Sequence, residues 1–426
     1  MERYSEYKDS GVKWLGEIPS HWEVMPIKHS YKFTVGWTPP TGRSDLFEGN
    51  NLWANISDLG KKEIYNTANR VSDSAVRLSG RSISPKGSLL YSFKLSVGTV
   101  SFCGTDMYTN EAIATFVKGT NSLEYLYYAA PIFIIKNANT NIYGAPILNQ
   151  DLIKNALVLL PPRTEQDAIV RYLDAATSKI DKAIAMQQKM IDLLNERKQI
   201  IIQDAVTKGL DEKVEMKDSG VEWIGMIPKH WEVLKLKRCA FIKTGTTPPT
   251  NERKYFDGGQ IAWFTPGDLE NLYLKSASKA ITNKAIQDNV GRLFPAKTIY
   301  FVGIGATVAK VSACDFEASS NQQINAIMCY SNLYYKFATY VLKSEQTIIR
   351  ETANYVTLPI INQSSTGLID MIIPPIVEQQ AIVSYLDKEM QKFDSAITNC
   401  QRQITLLQER KQIIINEVVT GKVKVS

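Results

Sequence analysis

A 47-residue segment occurs twice in this chain. Pro161–Thr207 reads PPRTEQDAIVRYLDAATSKIDKAIAMQQKMIDLLNERKQIIIQDAVT, and Pro374–Thr420 reads PPIVEQQAIVSYLDKEMQKFDSAITNCQRQITLLQERKQIIINEVVT. The offset is 213 residues, half of the 426-residue length. After the paired prolines each copy is free of Pro and Gly, and apolar residues recur at alternating steps of three and four, the coiled-coil period. The first seam reads Leu173, Thr177, Ile180, Ile184, Gln187, Ile191, Leu194, Lys198, Ile201 and Ala205. The second reads Leu386, Met390, Phe393, Ile397, Cys400, Ile404, Leu407, Lys411, Ile414 and Val418, with its breaks at the same rungs. Helices of about 44 residues would run roughly 66 Å. A helix that long with one narrow apolar stripe needs a partner stripe, and the other copy is the obvious one. The alternative is that each helix packs on its own globular domain.

The duplication extends beyond the helices. Lys8–Val24 and Lys217–Val233 match at 13 of 17 positions, GWTPPT from Gly36 matches GTTPPT from Gly245, and WANISDL from Trp53 echoes WFTPGDL from Trp263. Pro146 with Asn149-Gln150 matches Pro359 with Asn362-Gln363. The layout is globular unit, long helix, globular unit, long helix: residues 1–160, 161–209, 210–373 and 374–426. Within the globular units, short β-branched and aromatic runs lie between Gly, Pro and Asn turns, at Tyr31–Val35, Ser88–Phe93, Gly98–Phe102 and Ala112–Val117, then Cys239–Lys243, Thr298–Val302 and Ile324–Cys329. Helices are expected at Leu123–Phe133 and Leu333–Lys343. The fold class is therefore α+β, two pseudo-repeated globular domains with two long helices. Thr164, with Asp167 three residues on, is placed to cap the first helix, and Gly209 and Gly421 to stop the two helices.

Composition narrows the function. No apolar run reaches the ~18–20 residues that span a bilayer, so a soluble, cytoplasmic protein is expected. Five scattered cysteines and three histidines form no ligand spacing, and reduced buried thiols fit better than a disulfide framework or a zinc site. The net charge of +6 is compatible with a polyanion partner without demanding one.

No catalytic constellation stands out. A P-loop GxxxxGK[ST] and an amino-methyltransferase [DNS]PP[FYW] motif are both absent. Gly303-Ile304-Gly305 lacks the third glycine of a dinucleotide loop and reads as a turn. His21 and His230 each precede a tryptophan and read as hydrogen-bonded structural groups. Trp14, Trp22, Trp223 and Trp231 read as packing residues rather than base-stacking platforms. The two copies diverge through Arg43–Asp106 against Asn251–Asp315, as two readers of different targets would. Basic residues there are candidates for phosphate and base contacts: Arg43, Lys61, Lys62, Arg77, Arg81 and Lys94 in the first unit, and Arg253, Lys254, Lys275, Arg292 and Lys310 in the second, with Thr246 and Thr247 of the second TPPT turn.

The whole chain resembles the specificity (S) subunit of type I restriction-modification systems. The residues that carry this are the GxxWxGxIPxHWEV segments (Gly11–Val24, Gly220–Val233), the TPPT turns, the PPxxEQxAIVxYLD helix starts (Pro161–Asp174, Pro374–Asp387) and the ERKQIII helix ends (Glu196–Ile202, Glu409–Ile415). One departure is Glu111, standing where Gln322 does in the other repeat. The resemblance implies that each globular unit is a target recognition domain reading one half of a split, asymmetric double-stranded DNA sequence. It implies that the helices pair antiparallel as a spacer. It also implies that two modification (methyltransferase) subunits bind, bringing S-adenosylmethionine, and that restriction subunits join with ATP and Mg2+. The chain itself would be non-catalytic and hold no cofactor. A stand-alone DNA-modifying enzyme and a purely structural coiled-coil adaptor are the competing readings.

Overall fold

The computed structural model describes residues 2–351, 354–355 and 359–425. It divides into two compact units, Met1–Gln187 with Arg402–Ser426, and Gln188–Gln401. The division falls inside both long helices, so each unit holds a stretch of each helix.

The centre of the first unit is a five-stranded sheet in the order Lys32–Val35, Ile113–Val117, Leu89–Ser92, Val100–Cys103, Glu63–Ile64. Its pairings are antiparallel except the last, which is parallel. Leu89–Ser92 is buried at every position because both faces of the sheet are covered. Leu89 and Tyr91 point into the main core with the helix Leu123–Phe133, while Leu90 points the other way, against Ile64, Cys103 and Ile113. A smaller sheet sets Asn51–Ala54 between Tyr108–Thr109 and Asn69–Val71. It carries a satellite core of Leu46, Trp53, Val71 and Ala75.

The second unit repeats this strand for strand. Its large sheet runs Ala240–Thr244, Ile324–Cys329, Thr298–Val302, Val311–Cys314, Tyr273–Leu274. Its small sheet sets Ile261–Phe264 between Ser319–Ser320 and Ala280–Ile281. The parallel pairs recur at the equivalent places. Seven of the ten large-sheet strands lie within a residue or two of the runs expected from β-branched patterning, and the small-sheet strands were not expected.

The long helices are Arg163–Lys208 and Ile376–Val419. Every seam position named from the sequence is buried or half-buried, and none is exposed. The stripes pack on each other as an antiparallel pair. In the first unit Trp22 bonds Glu165 at the start of the first helix and packs against Gly421 past the end of the second. Further along, Asp181 meets Lys411 at 2.7 Å. In the second unit Lys198 meets Asp394 at 2.5 Å. These two ion pairs are the same contact seen in each repeat, since both partners differ by 213 residues. The seam breaks at Lys198 and Lys411 are thus rungs that reach across to the other helix.

One expectation is corrected. The first helix begins at Arg163, so Thr164 lies inside its first turn and does not cap it. The backbone N–H groups of Glu165 and Gln166 instead donate to the carbonyl of Pro162 at 2.9 and 3.0 Å. Paired prolines supply a fixed approach and leave no N–H of their own to satisfy. Gly209 and Gly421 follow the helix ends with φ of +78° and +73°, the left-handed backbone that ends a helix cheaply only at glycine.

Candidate nucleic-acid interface

The tryptophan segments and helix starts form a clamp in each unit. Glu165 accepts from His21 Nε2 at 2.6 Å, Trp22 Nε1 at 2.9 Å and the Tyr4 hydroxyl at 3.2 Å. Glu378 accepts from His230 at 2.8 Å and Trp231 at 2.9 Å. The neighbouring glutamine is buried and ties the same helix start elsewhere. Gln166 donates to Pro161 O and accepts from Ser122 N, and Gln379 donates to Pro374 O and accepts from Tyr334 N. The Glu-Gln dipeptide of the repeat is therefore a two-way anchor. Trp22 and Trp231 are fully buried, as packing residues should be.

Further down, Asp174 accepts from the Tyr128 hydroxyl at 2.5 Å, and Asp387 from Tyr273 and Tyr340 at 3.0 and 2.7 Å. Burial and the adjacent carboxylates push these phenols well above their ordinary value, so they stay protonated and donate to the aspartates. These contacts fix the rods to the helices Leu123–Phe133 and Tyr335–Ser344 and, through Tyr273, to the second large sheet.

The TPPT turns sit where the large and small sheets meet. A Cβ on Gly36 would lie 2.0 Å from Thr109 O, and one on Gly245 2.3 Å from Asn321 O, so only glycine lets the backbones cross. Each turn is strapped by an indole: Trp53 Nε1 donates to Trp37 O, and Trp263 Nε1 to Thr246 O, both at 3.0 Å. The facing turn is held by Asn110 or Asn321, whose side-chain oxygen accepts from the N–H two residues on at 3.0 Å in both units. On this shared frame the side chains differ. Glu111 pairs with Lys94 at 3.6 Å, while Gln322 accepts from the Thr247 hydroxyl. Thr246 turns its own hydroxyl inward, shut from solvent and without a partner among the described residues.

The candidate basic residues fall into distinct groups. Arg43 and Arg77 stand on elements sharing the first satellite core, Arg43 just before the 3-10 turn Ser44–Phe47 and Arg77 on the helix Asp73–Ser79, and Arg81 follows that helix. Arg253 and Lys254 stand on the equivalent turn Arg253–Tyr255 of the second unit. Arg43 holds Asp45, and that hydrogen bond lowers the Asp45 carboxyl below its ordinary range. Lys254 holds Glu252 at 2.5 Å and lies over the Tyr255 ring. Lys61 and Lys275 are exposed on loops beside the edge strands Glu63–Ile64 and Tyr273–Leu274.

Three further candidates hold partners elsewhere in the fold, Lys62 while still exposed and Lys310 and Arg292 half-buried. Lys62 pairs with Asp174 on the long helix at 2.6 Å, Lys310 with Glu270 at 2.8 Å, and Arg292 donates to the backbone carbonyl of Thr244.

Burial pushes the thiols of Cys103, which is buried, and Cys329, which is half-buried, each up to about 12. Among the described residues there is no group of three or more His, Cys, Asp or Glu placed to hold a metal, and no helix long and apolar enough to cross a membrane.

The family model described as the type I restriction modification DNA specificity domain matches residues 19–190 and again 228–408. The chain belongs to this family. It is a specificity subunit of a type I restriction-modification system. Its relatives include the type I restriction enzyme MjaIX specificity subunit of Methanocaldococcus jannaschii, 24% identical across 99% of this chain and 97% of that protein. Among solved structures, a chain from a study of assembly and conformational transition of the type I R-M system covers 95% of this subunit and 99% of itself at a TM-score of 0.71 and 15% identity. The HsdS subunit from Thermoanaerobacter tengcongensis covers 95% and 98% at a TM-score of 0.50 and 14% identity. At that identity the likeness is one of fold.

Several residues that shape this specificity subunit's candidate interface were not singled out by sequence reasoning. The strap indoles Trp53 and Trp263 and the turn-holding Asn110 and Asn321 are examples. Their signal was present in the repeat, as a tryptophan five residues before an aspartate in both copies and an Asn at the same turn. That aspartate, Asp58 or Asp268, closes a capping box on a 3-10 turn in each unit.

Proposed function

We propose that this specificity subunit reads a double-stranded DNA target in two different halves, one with each globular unit. The observation that carries the reading is a scaffold repeated strand for strand while the polar side chains on its turns differ, as at Lys94–Glu111 against Thr247–Gln322. Arg43, Arg77, Arg81, Arg253 and Lys254 are the side chains we assign to phosphate and base contact, with Lys61, Lys94, Lys275 and Thr247 beside them. The paired helices then act as the spacer that sets the gap between half-sites.

The same reading gives the helices a second task. Leu406 and Ile413 in the first unit, and their repeat equivalents Leu193 and Ile200 in the second, are 48–56% exposed and lie seven residues apart. That is a second heptad stripe outside the seam, and it suits the helices of two modification subunits, one for each repeat. Those subunits would carry S-adenosylmethionine and the methylating chemistry, and restriction subunits would carry ATP and Mg2+. This chain would supply the address in the cytoplasm and hold no cofactor of its own.

The test is long-read methylome mapping of cells expressing the subunit with its modification partner, with and without this gene. The expected result is a two-part methylated motif that vanishes with the gene. A motif that persists, or a single unbroken motif, would overturn the proposal.

A further inference from the structure

The hairpin Asn139–Thr140 / Pro146–Ile147 of the first unit carries the two most exposed large apolar side chains among the described residues, Ile142 at 90% and Tyr143 at 87%. Its tip is tied by its own bonds. The side chain of Asn141 accepts from Tyr143 N and Ala145 N at 2.9 Å each, Asn141 N donates to Ala145 O, and Gly144 takes a φ of +79°. This hydrogen-bonded turn holds an isoleucine and a tyrosine out in water.

From Asn137 to Gln150 there is no charged residue, but four asparagines, a threonine and a glutamine. We propose that this tip is a DNA-contacting finger, with Ile142 and Tyr143 lying against base edges or a base step of the first half-site and the asparagines bonding beside them. The proposal rests on the two-part DNA reading above.

Size decides between DNA and a protein partner. Ile142, Tyr143 and the 44% exposed Ile147 offer on the order of 400 Å² together, half of the ~800 Å² that each side of a standard protein interface buries. A small apolar tip on uncharged amide walls instead matches the wedge-and-amide chemistry by which proteins enter a DNA groove, and it brings no carboxylate toward the phosphates.

The second unit shows what its own equivalent strand touches. In the second unit the equivalent hairpin strand, Pro359–Ile360, continues into bonds with the interface frame. Ile361 N donates to Gly303 O at 2.7 Å, Asn325 donates to Ile361 O at 3.2 Å, and Gln363 accepts from Thr244 N at the start of the TPPT turn. Hairpin strand and turn thus belong to one surface of that unit. The first-unit hairpin is followed by the same Asn-Gln pair, Asn149 and Gln150, but these three bonds are not repeated there among the described residues, where Asn149 caps the helix Gln150–Asn155.

The experiment uses the full chain co-expressed with its modification subunits and a fluorescein-labelled duplex bearing the mapped methylated motif, against a scrambled duplex. The double variant Ile142→Ser/Tyr143→Ser should bind the motif roughly five- to a hundred-fold more weakly. The salt dependence should be unchanged, because no phosphate contact is lost. Tyr143→Phe should bind like the parent, and the indole emission of Tyr143→Trp should change when the motif duplex is added. Parent-like affinity in the double variant overturns the finger. So does weakened binding in the double variant with an indole emission in Tyr143→Trp that the duplex leaves unaltered, which would move the hairpin's role to a protein partner. A parent complex that fails to distinguish motif from scrambled duplex would bring down the two-part reading itself, and the finger with it.

Discussion

Glu345 is the residue most at odds with its surroundings. It is 1% exposed, and both carboxylate oxygens lack a hydrogen-bond partner among the described residues. The repeat shows why it is there to be noticed. Ser122 and Tyr334 make the same bond to the clamp glutamine, and Tyr128 and Tyr340 to the clamp aspartate, which aligns Glu345 with the buried Phe133 of the first unit. Burial, with Asp370 adding to it, raises the Glu345 carboxyl well above its ordinary 4.5, so the folded protein keeps a proton the unfolded chain gives up. The stability this contributes is complete below pH ~4.5 and is lost as pH rises toward the folded value. Glu345→Gln should therefore melt like the parent near pH 4 and be more stable by about 1–3 kcal/mol near pH 8. Thermal melts at the two pH values read the difference, and an equal shift at both would show that the carboxyl is not the cause.

At the scale of elements, the two long helices and their seams were legible, while the start of the first helix and the clamps were legible only in part. A 3.5-residue period is a local property, and the seam positions named from it are all shielded. The polar rungs needed the fold for their meaning. Lys411 is half-buried against Asp181, and the pairing spans 230 residues, beyond the reach of any local pattern. Such a rung adds little energy, because Asp181 is more than half exposed, but it fixes register. Lys411→Asp should place two carboxylates together and cost roughly 0.5–1 kcal/mol, and adding Asp181→Lys should restore most of it. A thermal double-mutant cycle measures that coupling, and two simply additive losses would remove the rung from the account.

For the whole molecule, the spacer reading makes a metric prediction. One helical turn adds ~5.4 Å, more than the ~3.4 Å rise of a base pair. Inserting four residues after Gln187, with a matching insertion after Cys400, should lengthen the gap between methylated half-sites by a base pair or so. Methylome mapping of that variant would show the altered gap, and an unchanged gap would end the idea of a helical ruler.

By itself the sequence determined the doubling, the two rods with their seams, most strands of the large sheets and the family, because each of these is written in short-range period or in direct repetition. The tertiary structure decided which helix stripe faces which, and what the Glu-Gln pairs hold. It also decided which partners the basic side chains hold. Lys62, Lys310 and Arg292 look as free as Arg77 in a linear reading, yet they are claimed by Asp174, Glu270 and the Thr244 carbonyl. A charge has no period, so its role is set by the groups that folding brings into hydrogen-bond reach. Those groups come from parts of the chain that local pattern cannot connect.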